Sequence, residues 1–200
     1  MMANLIVISH EFDVANEAAL VSELFNEGMQ LFHLKKPLWD VDSQRNFIEK
    51  IDPAFHSKIS VHQHYETITE YGLKYYHVRE KARKSAGYPP AEGLIRSTSF
   101  HNYDELKKEE FIWDYCFLSP VFDSISKKDY KSGFPEDMKI ENGKQKIFAL
   151  GGVSNENIEQ VFERGFYGAV ISGAVWMDVK NAVKNFREIK NKCSSNVHTY

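Results

Sequence analysis

The chain has 200 residues, 42% of them apolar, 26% charged and 14% aromatic, and its 25 Lys and Arg against 28 Asp and Glu leave a net charge of −3. Such a composition builds a globular core and provides no overall basic field to hold a nucleic-acid backbone. The longest apolar run near the N-terminus, Leu5 to Ile8, is far short of a secretory signal or of the roughly 20 residues of a membrane span.

Eight short apolar, β-branched runs follow one another along the chain: Leu5 to Ser9, Leu31 to Lys35, Ile59 to Gln63, Tyr75 to Arg79, Leu94 to Ser99, Tyr115 to Ser119, Ile147 to Leu150 and Ala169 to Ser172. Amphipathic stretches separate them, the pattern of β/α units around a parallel sheet. After the first run, Val14, Ala18, Val21 and Phe25 share a helical face that Gly28 closes, as a glycine past a helix end does. A second helix is predicted from near Asp42 to before Pro53. The connection Glu80 to Glu92 contains Gly87, Pro89 and Pro90, and the polar stretch Val121 to Gln145 is interrupted by Gly133, Pro135 and Gly143, so neither predicts a long helix. Further helices are predicted from about Asn155, after the eighth run, and over the stripe Val179, Ala182, Val183, Phe186, Ile189 and Cys193. The expected fold is an α/β (β/α)8 TIM barrel with abbreviated connections after strands 4 and 6, formed by residues 1–200 as one domain. An open doubly wound sheet is the alternative. Cys116 and Cys193 show no metal-type spacing and read as two neutral thiols.

Sites in this fold lie where strands end and βα loops begin. The residues there are cationic: His10, His33, Lys35, Lys36, His62, His64, Arg79, His101, Lys127 and Lys128, whereas the acidic surplus falls in presumed helices such as Asp104 to Glu110. Positive charge focused at one face suits a small anion. Gly151 and Gly152 follow the seventh run, and Ser172 and Gly173 the eighth; glycines let backbone N–H groups approach an anion, and in a barrel these two loops form the usual phosphate site. Ser124, Ser126 and Lys127 add two hydroxyls spaced by two and a compact cation. His62 and His64 share a strand face, a spacing able to hold a metal, but the sequence provides no third ligand and no metal site is assigned; a polar pocket wall is the simpler reading.

In the stretches Leu31-Phe32-His33-Leu34-Lys35-Lys36, Tyr76-His77-Val78, Ser97-Thr98-Ser99-Phe100-His101, Leu118-Ser119-Pro120-Val121-Phe122, Ser124-Ile125-Ser126-Lys127, Ala149-Leu150-Gly151-Gly152 and Ile171-Ser172-Gly173, the chain resembles the thiamine phosphate synthase family, including its thiazole tautomerase branch. The resemblance implies a phosphate-binding barrel that joins hydroxymethylpyrimidine diphosphate to a thiazole phosphate and releases pyrophosphate. It implies that Gly152, Ile171, Ser172, Ser124 and Ser126 hold the thiazole phosphate, and that Lys127 and Ser99 contact the pyrimidine substrate and its diphosphate. The family's glutamine-x-arginine-x-lysine motif stands here as His33-Leu34-Lys35-Lys36-Pro37, so Lys35 replaces the arginine and the final lysine is missing or displaced to Lys36. Mg2+ follows from the resemblance, yet both expected aspartate ligands are absent: His62-Gln63-His64 occupies the first place and Arg79-Glu80-Lys81-Ala82 the second. The acid/base histidine of the tautomerase branch is matched by Pro120, which cannot transfer a proton.

The leading expectation is therefore a synthase-like transferase of thiamine biosynthesis, with Lys35, Lys127 and His33 as the residues closest to the chemistry. Its substrate contacts are expected from Lys36, His62, His64, Arg79, Ser99, His101, Ser124, Ser126, Gly151, Gly152, Ile171, Ser172 and Gly173. A thiazole phosphate isomerase, suggested by the histidine-rich mouth, and a non-catalytic phosphate-ester binder, suggested by altered reaction motifs beside a retained phosphate cup, are the alternatives. Small phosphorylated metabolites are the expected partners, with no nucleic acid and no membrane; the expected location is the cytoplasm, and the resemblance implies a homodimer.

Overall fold

Successive side chains of a strand face opposite ways, so in a closed parallel sheet each run supplies one set of residues to the barrel interior and another to the helices outside. A computed structural model of the chain describes residues 4–85, 87–88, 92–123, 132–135, 137–141 and 145–195. It contains eight strands, β1 (Leu5–Ile8), β2 (Phe32–Leu34), β3 (Ile59–Val61), β4 (Tyr75–Val78), β5 (Ile95–Phe100), β6 (Tyr115–Leu118), β7 (Ile147–Leu150) and β8 (Gly168–Ile171). They pair in parallel in chain order and close into a barrel. Val7 aligns with Phe32 on one side of β1 and with Ile171 on the other, so the open-sheet alternative is excluded.

The outer layer consists of α1 (Glu17–Asn26), α2 (Val41–Ile48), α3 (Glu66–Tyr71), α4 (Glu80–Ser85), α5 (Tyr103–Lys108), α6 (Ile158–Glu163), α7 (Gly173–Trp176) and α8 (Ala182–Ser195). Gly28, at φ +93°, follows the end of α1 as expected, and the Asp40 carboxylate accepts the Ser43 N–H at the start of α2. After β4 the helix is abbreviated, α4 having six residues; the connection after β6, expected to be abbreviated too, is instead the longest between consecutive strands, residues 119–146, and forms no helix among its described residues. On α8 the stripe Ala182, Phe186, Ile189 and Cys193 is buried, each large member contributing ~1.5–3 kcal/mol through removal from water. Val179, expected on the same helix, instead starts a short 3-10 turn, Val179–Asn181. Among the described residues, no helix is long and apolar enough to cross a membrane.

Two buried clusters result from strand alternation. The larger one lies between sheet and helices, and the smaller one, Ile6, Ile8, Leu31, Tyr115, Phe117, Phe148 and Val170, fills part of the interior. The rest of the interior is polar: His33 aligns with Ser60, and His77 with Ser97, all four buried. The closest approach of backbones occurs where β8 begins. A Cβ at Gly168 would lie 2.3 Å from the Asn4 carbonyl oxygen, so Gly168→Ala must part β8 from the chain entering β1. We expect a loss of roughly 1–3 kcal/mol in denaturant unfolding; an unchanged midpoint would contradict this account of closure.

Candidate functional site

Because all strands are parallel, the residues after each of them gather on one rim of the barrel. At that rim Leu150 is in register with Val170, so the loop at Gly151 and Gly152 runs beside the loop at Ile171, Ser172 and Gly173. Ile171 is buried, whereas Gly151, Gly152, Ser172 and Gly173 keep partial solvent access. Asn157 donates through Nδ2 to the Gly152 carbonyl at 2.9 Å and accepts the Ser154 N–H, which fixes the first loop. Trp176 on α7 donates through Nε1 to the Ile8 carbonyl at 2.7 Å and fixes the second loop against β1. Glycine is required at both positions of the first loop: φ is +94° at Gly151 and +67° at Gly152, and a Cβ on Gly152 would lie 2.1 Å from the Asp123 carbonyl oxygen.

That contact brings the β6 connection to the same place. Val121 N–H donates to the Leu150 carbonyl and Phe122 N–H to that of Gly151. Ser124, Ser126 and Lys127 lie outside the described residues, as does Lys128. The described residues on either side of this stretch are joined: Ser132 N–H donates to the Asp123 carboxylate at 2.8 Å, and Gly133 N–H to the Pro120 carbonyl.

Of the expected cations, Lys35, Arg79 and His101 are exposed at the rim. Ser9 holds the backbone of Lys35, its Oγ accepting the Lys35 N–H at 2.8 Å and donating to the Lys35 carbonyl at 3.0 Å. The ring of His101 meets the Ser119 carbonyl through Nδ1 at 2.9 Å. Lys36 turns the other way. With 2% of its side chain exposed, it forms an ion pair with the equally enclosed Glu17 of α1, donates to the Phe12 carbonyl at 2.7 Å and lies over the Trp39 ring. Burial raises the Glu17 carboxyl above its ordinary range, against the lowering influence of Lys36. The fold thus uses Lys36 to join the β2 loop to α1 and does not present it at the rim.

Beneath the rim lie the histidines. His33 Nδ1 is 2.9 Å from His62 Nε2, and His33 Nε2 is 2.8 Å from the Tyr115 hydroxyl. His77 meets Ser97 Oγ through Nδ1 at 2.8 Å and Ser99 Oγ through Nε2 at 2.9 Å. Burial keeps all three rings neutral: it lowers His33 to about 3 and His62 and His77 well below 6.5, with neighbouring rings, Lys35 and Arg79 adding to the effect on His62. His64, at φ +50°, points its Nε2 to the Trp39 carbonyl instead. Sequence reasoning named His33, His62 and Ser99 as separate candidates at strand ends and did not connect them with one another, with Tyr115 or with Ser97. The alternation of inward positions on β5 and β6 carried that signal; the cross-strand register did not appear in the sequence.

The two places where a magnesium carboxylate would be expected do not fit that ion. Gln63 donates through Nε2 to the Lys36 and Trp39 carbonyls, and the Glu80 carboxylate pairs with Lys84. No oxygen donor set for a hard cation is assembled there among the described residues.

Residues 4–175 match a family model described as thiamine monophosphate synthase. A thiamine-phosphate synthase of Methanosarcina mazei is 36% identical over 126 residues, which are 58% of this chain and 51% of that protein. The chain thus spans about half the length of the curated relatives it matches. Thiamine phosphate pyrophosphorylases from Bacteroides thetaiotaomicron and Pyrococcus furiosus share the fold, with TM-scores of 0.76 and 0.77 at 22% and 17% identity. The likeness covers 96% and 97% of this chain and 98% and 96% of theirs.

The buried ion pair has a direct test. Lys36→Met leaves the Glu17 carboxyl enclosed without its partner and is expected to cost about 3–5 kcal/mol of stability, most of it recovered when Glu17→Leu is added; a stable single variant in urea unfolding would contradict the assignment. The neutral histidines give a second. Unfolded imidazoles gain protons as the pH falls through 6.5, whereas the folded rings remain neutral to lower values. Stability is therefore complete above that pH and is lost below it, by up to ~1.4 kcal/mol per pH unit for each ring. Urea midpoints in EDTA between about pH 7 and about pH 5 check the slope; a flat profile would contradict it.

Proposed function

The chain belongs to the thiamine monophosphate synthase family, and from that premise we propose that it joins hydroxymethylpyrimidine diphosphate to a thiazole phosphate, releasing pyrophosphate and forming thiamine phosphate. The observation that carries this reading is the pair of adjacent, solvent-reached loops, Gly151-Gly152 and Ser172-Gly173, on the same rim as Lys35, Arg79 and His101. In this reading the two loops, with Ser124 and Ser126, receive the phosphate of the thiazole, and their backbone N–H groups satisfy its oxygens.

The reaction breaks the bond between the pyrimidine methylene carbon and the diphosphate oxygen, whose electron pair leaves with the pyrophosphate. The thiazole nitrogen supplies the pair for the new carbon–nitrogen bond and becomes positively charged. No protein nucleophile and no proton transfer are required, so the task of the chain is to align two substrates and to stabilise departing negative charge. Lys35 is assigned the diphosphate, with Arg79 on the same rim adding charge and Lys127 proposed, from the resemblance alone, as a further cation. Ser99, oriented by His77, and His62 form the floor under the pyrimidine. Since the described residues do not fit Mg2+, no step is assigned to it. Isomerisation is disfavoured by Pro120 at the position where the tautomerase branch carries its histidine.

Incubation of the full chain with both precursors, with and without added Mg2+, is expected to yield thiamine phosphate. Lys35→Ala should lower kcat/KM by about 100-fold, the scale for losing one preorganised partner of developing charge. Phosphate-ester binding without product under every condition would leave a binding protein and overturn the transferase reading.

A further inference from the structure

Three imidazoles from consecutive strands meet inside the barrel, and the transfer reaction needs no proton from them. His33 lies on β2, His62 directly after β3 and His77 on β4. They are 0%, 3% and 3% exposed. One ring nitrogen from each lies within 4.8 Å of the others, and the rings of His62 and His77 stack at 4.2 Å between centroids. We propose that His33, His62 and His77 form a binding site for a borderline divalent transition ion of the zinc class, leaving a fourth coordination position for a water or an anionic oxygen.

Ligand chemistry selects the ion. Imidazole nitrogen suits zinc, copper, nickel and iron(II), whereas magnesium and calcium require oxygen donors that this cluster lacks. Held neutral by burial, the rings offer lone pairs without first losing a proton. Their outer partners are in place as well. The Tyr115 hydroxyl meets His33 Nε2, and Ser97 Oγ meets His77 Nδ1, so each of these rings is oriented by a hydroxyl on one nitrogen, and the other, hydrogen-bonded to His62 or to Ser99 without the ion, is the one that would coordinate.

The spacing is compatible with modest adjustment. Zn–N bonds of about 2.0–2.1 Å in a tetrahedron set nitrogen pairs roughly 3.3–3.4 Å apart. The pair His33 Nδ1 and His62 Nε2, now hydrogen-bonded at 2.9 Å, would open slightly, and His77 would exchange its Ser99 contact for the ion. Lys35 and Arg79 direct positive charge toward His62, and Lys35 does so toward His77. A bare dication is opposed by that field, which favours hydroxide or a phosphate oxygen in the fourth position.

The test uses the full chain stripped of metal with EDTA and then dialysed. Zn2+ titrated against a competing chromophoric chelator is expected to bind with one equivalent, and Co2+ to give the intense visible bands of a tetrahedral site. His77→Gln and His33→Gln should each weaken Zn2+ binding at least 100-fold, Ser97→Ala about 10-fold, and His64→Ala, outside the cluster, should leave it unchanged. Absence of stoichiometric uptake by the unaltered chain, a weak octahedral Co2+ spectrum, or full affinity in folded His77→Gln would each overturn the proposal. The wild-type measurements decide the matter even if a variant does not fold, and they are independent of any transferase assay.

Discussion

Closing eight parallel strands sends all their C-terminal ends to one rim, and the geometry of the site follows from that closure. It makes neighbours of β7 and β8, and through them of Gly151-Gly152 and Ser172-Gly173, although some 20 residues of chain separate the loops. It also returns β8 to β1, where the Trp176 bond to the Ile8 carbonyl fastens the second loop. The approach of the β6 connection to Gly152 is close enough to exclude any side chain. Glycine at this position therefore has a packing reason that stands apart from the anion-binding role proposed for it.

The barrel interior is divided in character. Phe117, Phe148, Val170, Ile6 and Ile8 pack an apolar side, and the opposite side carries His33, Ser60, His62, His77 and Ser97. Leaving such polar groups unpaired would cost about 1–3 kcal/mol each; bonds among the histidines, serines and Tyr115 offset much of that penalty. The apolar side lies under the loops after β7 and β8, to which Phe148 and Val170 lead. Beneath the exposed cations, the polar side provides a floor whose rings remain neutral.

The strands were legible because each is a short apolar run, and the rim residues because they directly follow those runs. Gly28 and the α8 stripe likewise declared themselves through local chemistry. Lys36 did not: its partner Glu17 lies on a preceding helix, and no local pattern reveals that a lysine beside a strand end turns inward to meet it. The histidine cluster was half legible. Strand alternation turns His33, His62 and His77 inward, but the bond from His33 to Tyr115 crosses 82 positions and depends on barrel closure. Cross-strand register, the missing information, is a property of the closed sheet and of no single segment.

The account depends most on the two glycine-bearing loops receiving a phosphate ester. Amide chemical shifts recorded while the thiazole phosphate is added test this directly. The account predicts that Gly151, Gly152, Ser172 and Gly173 shift together and saturate together, while Lys74, Gly93 and Tyr167 at the opposite barrel end stay in place. Saturable shifts at that opposite end, with the glycine loops unmoved, would contradict it.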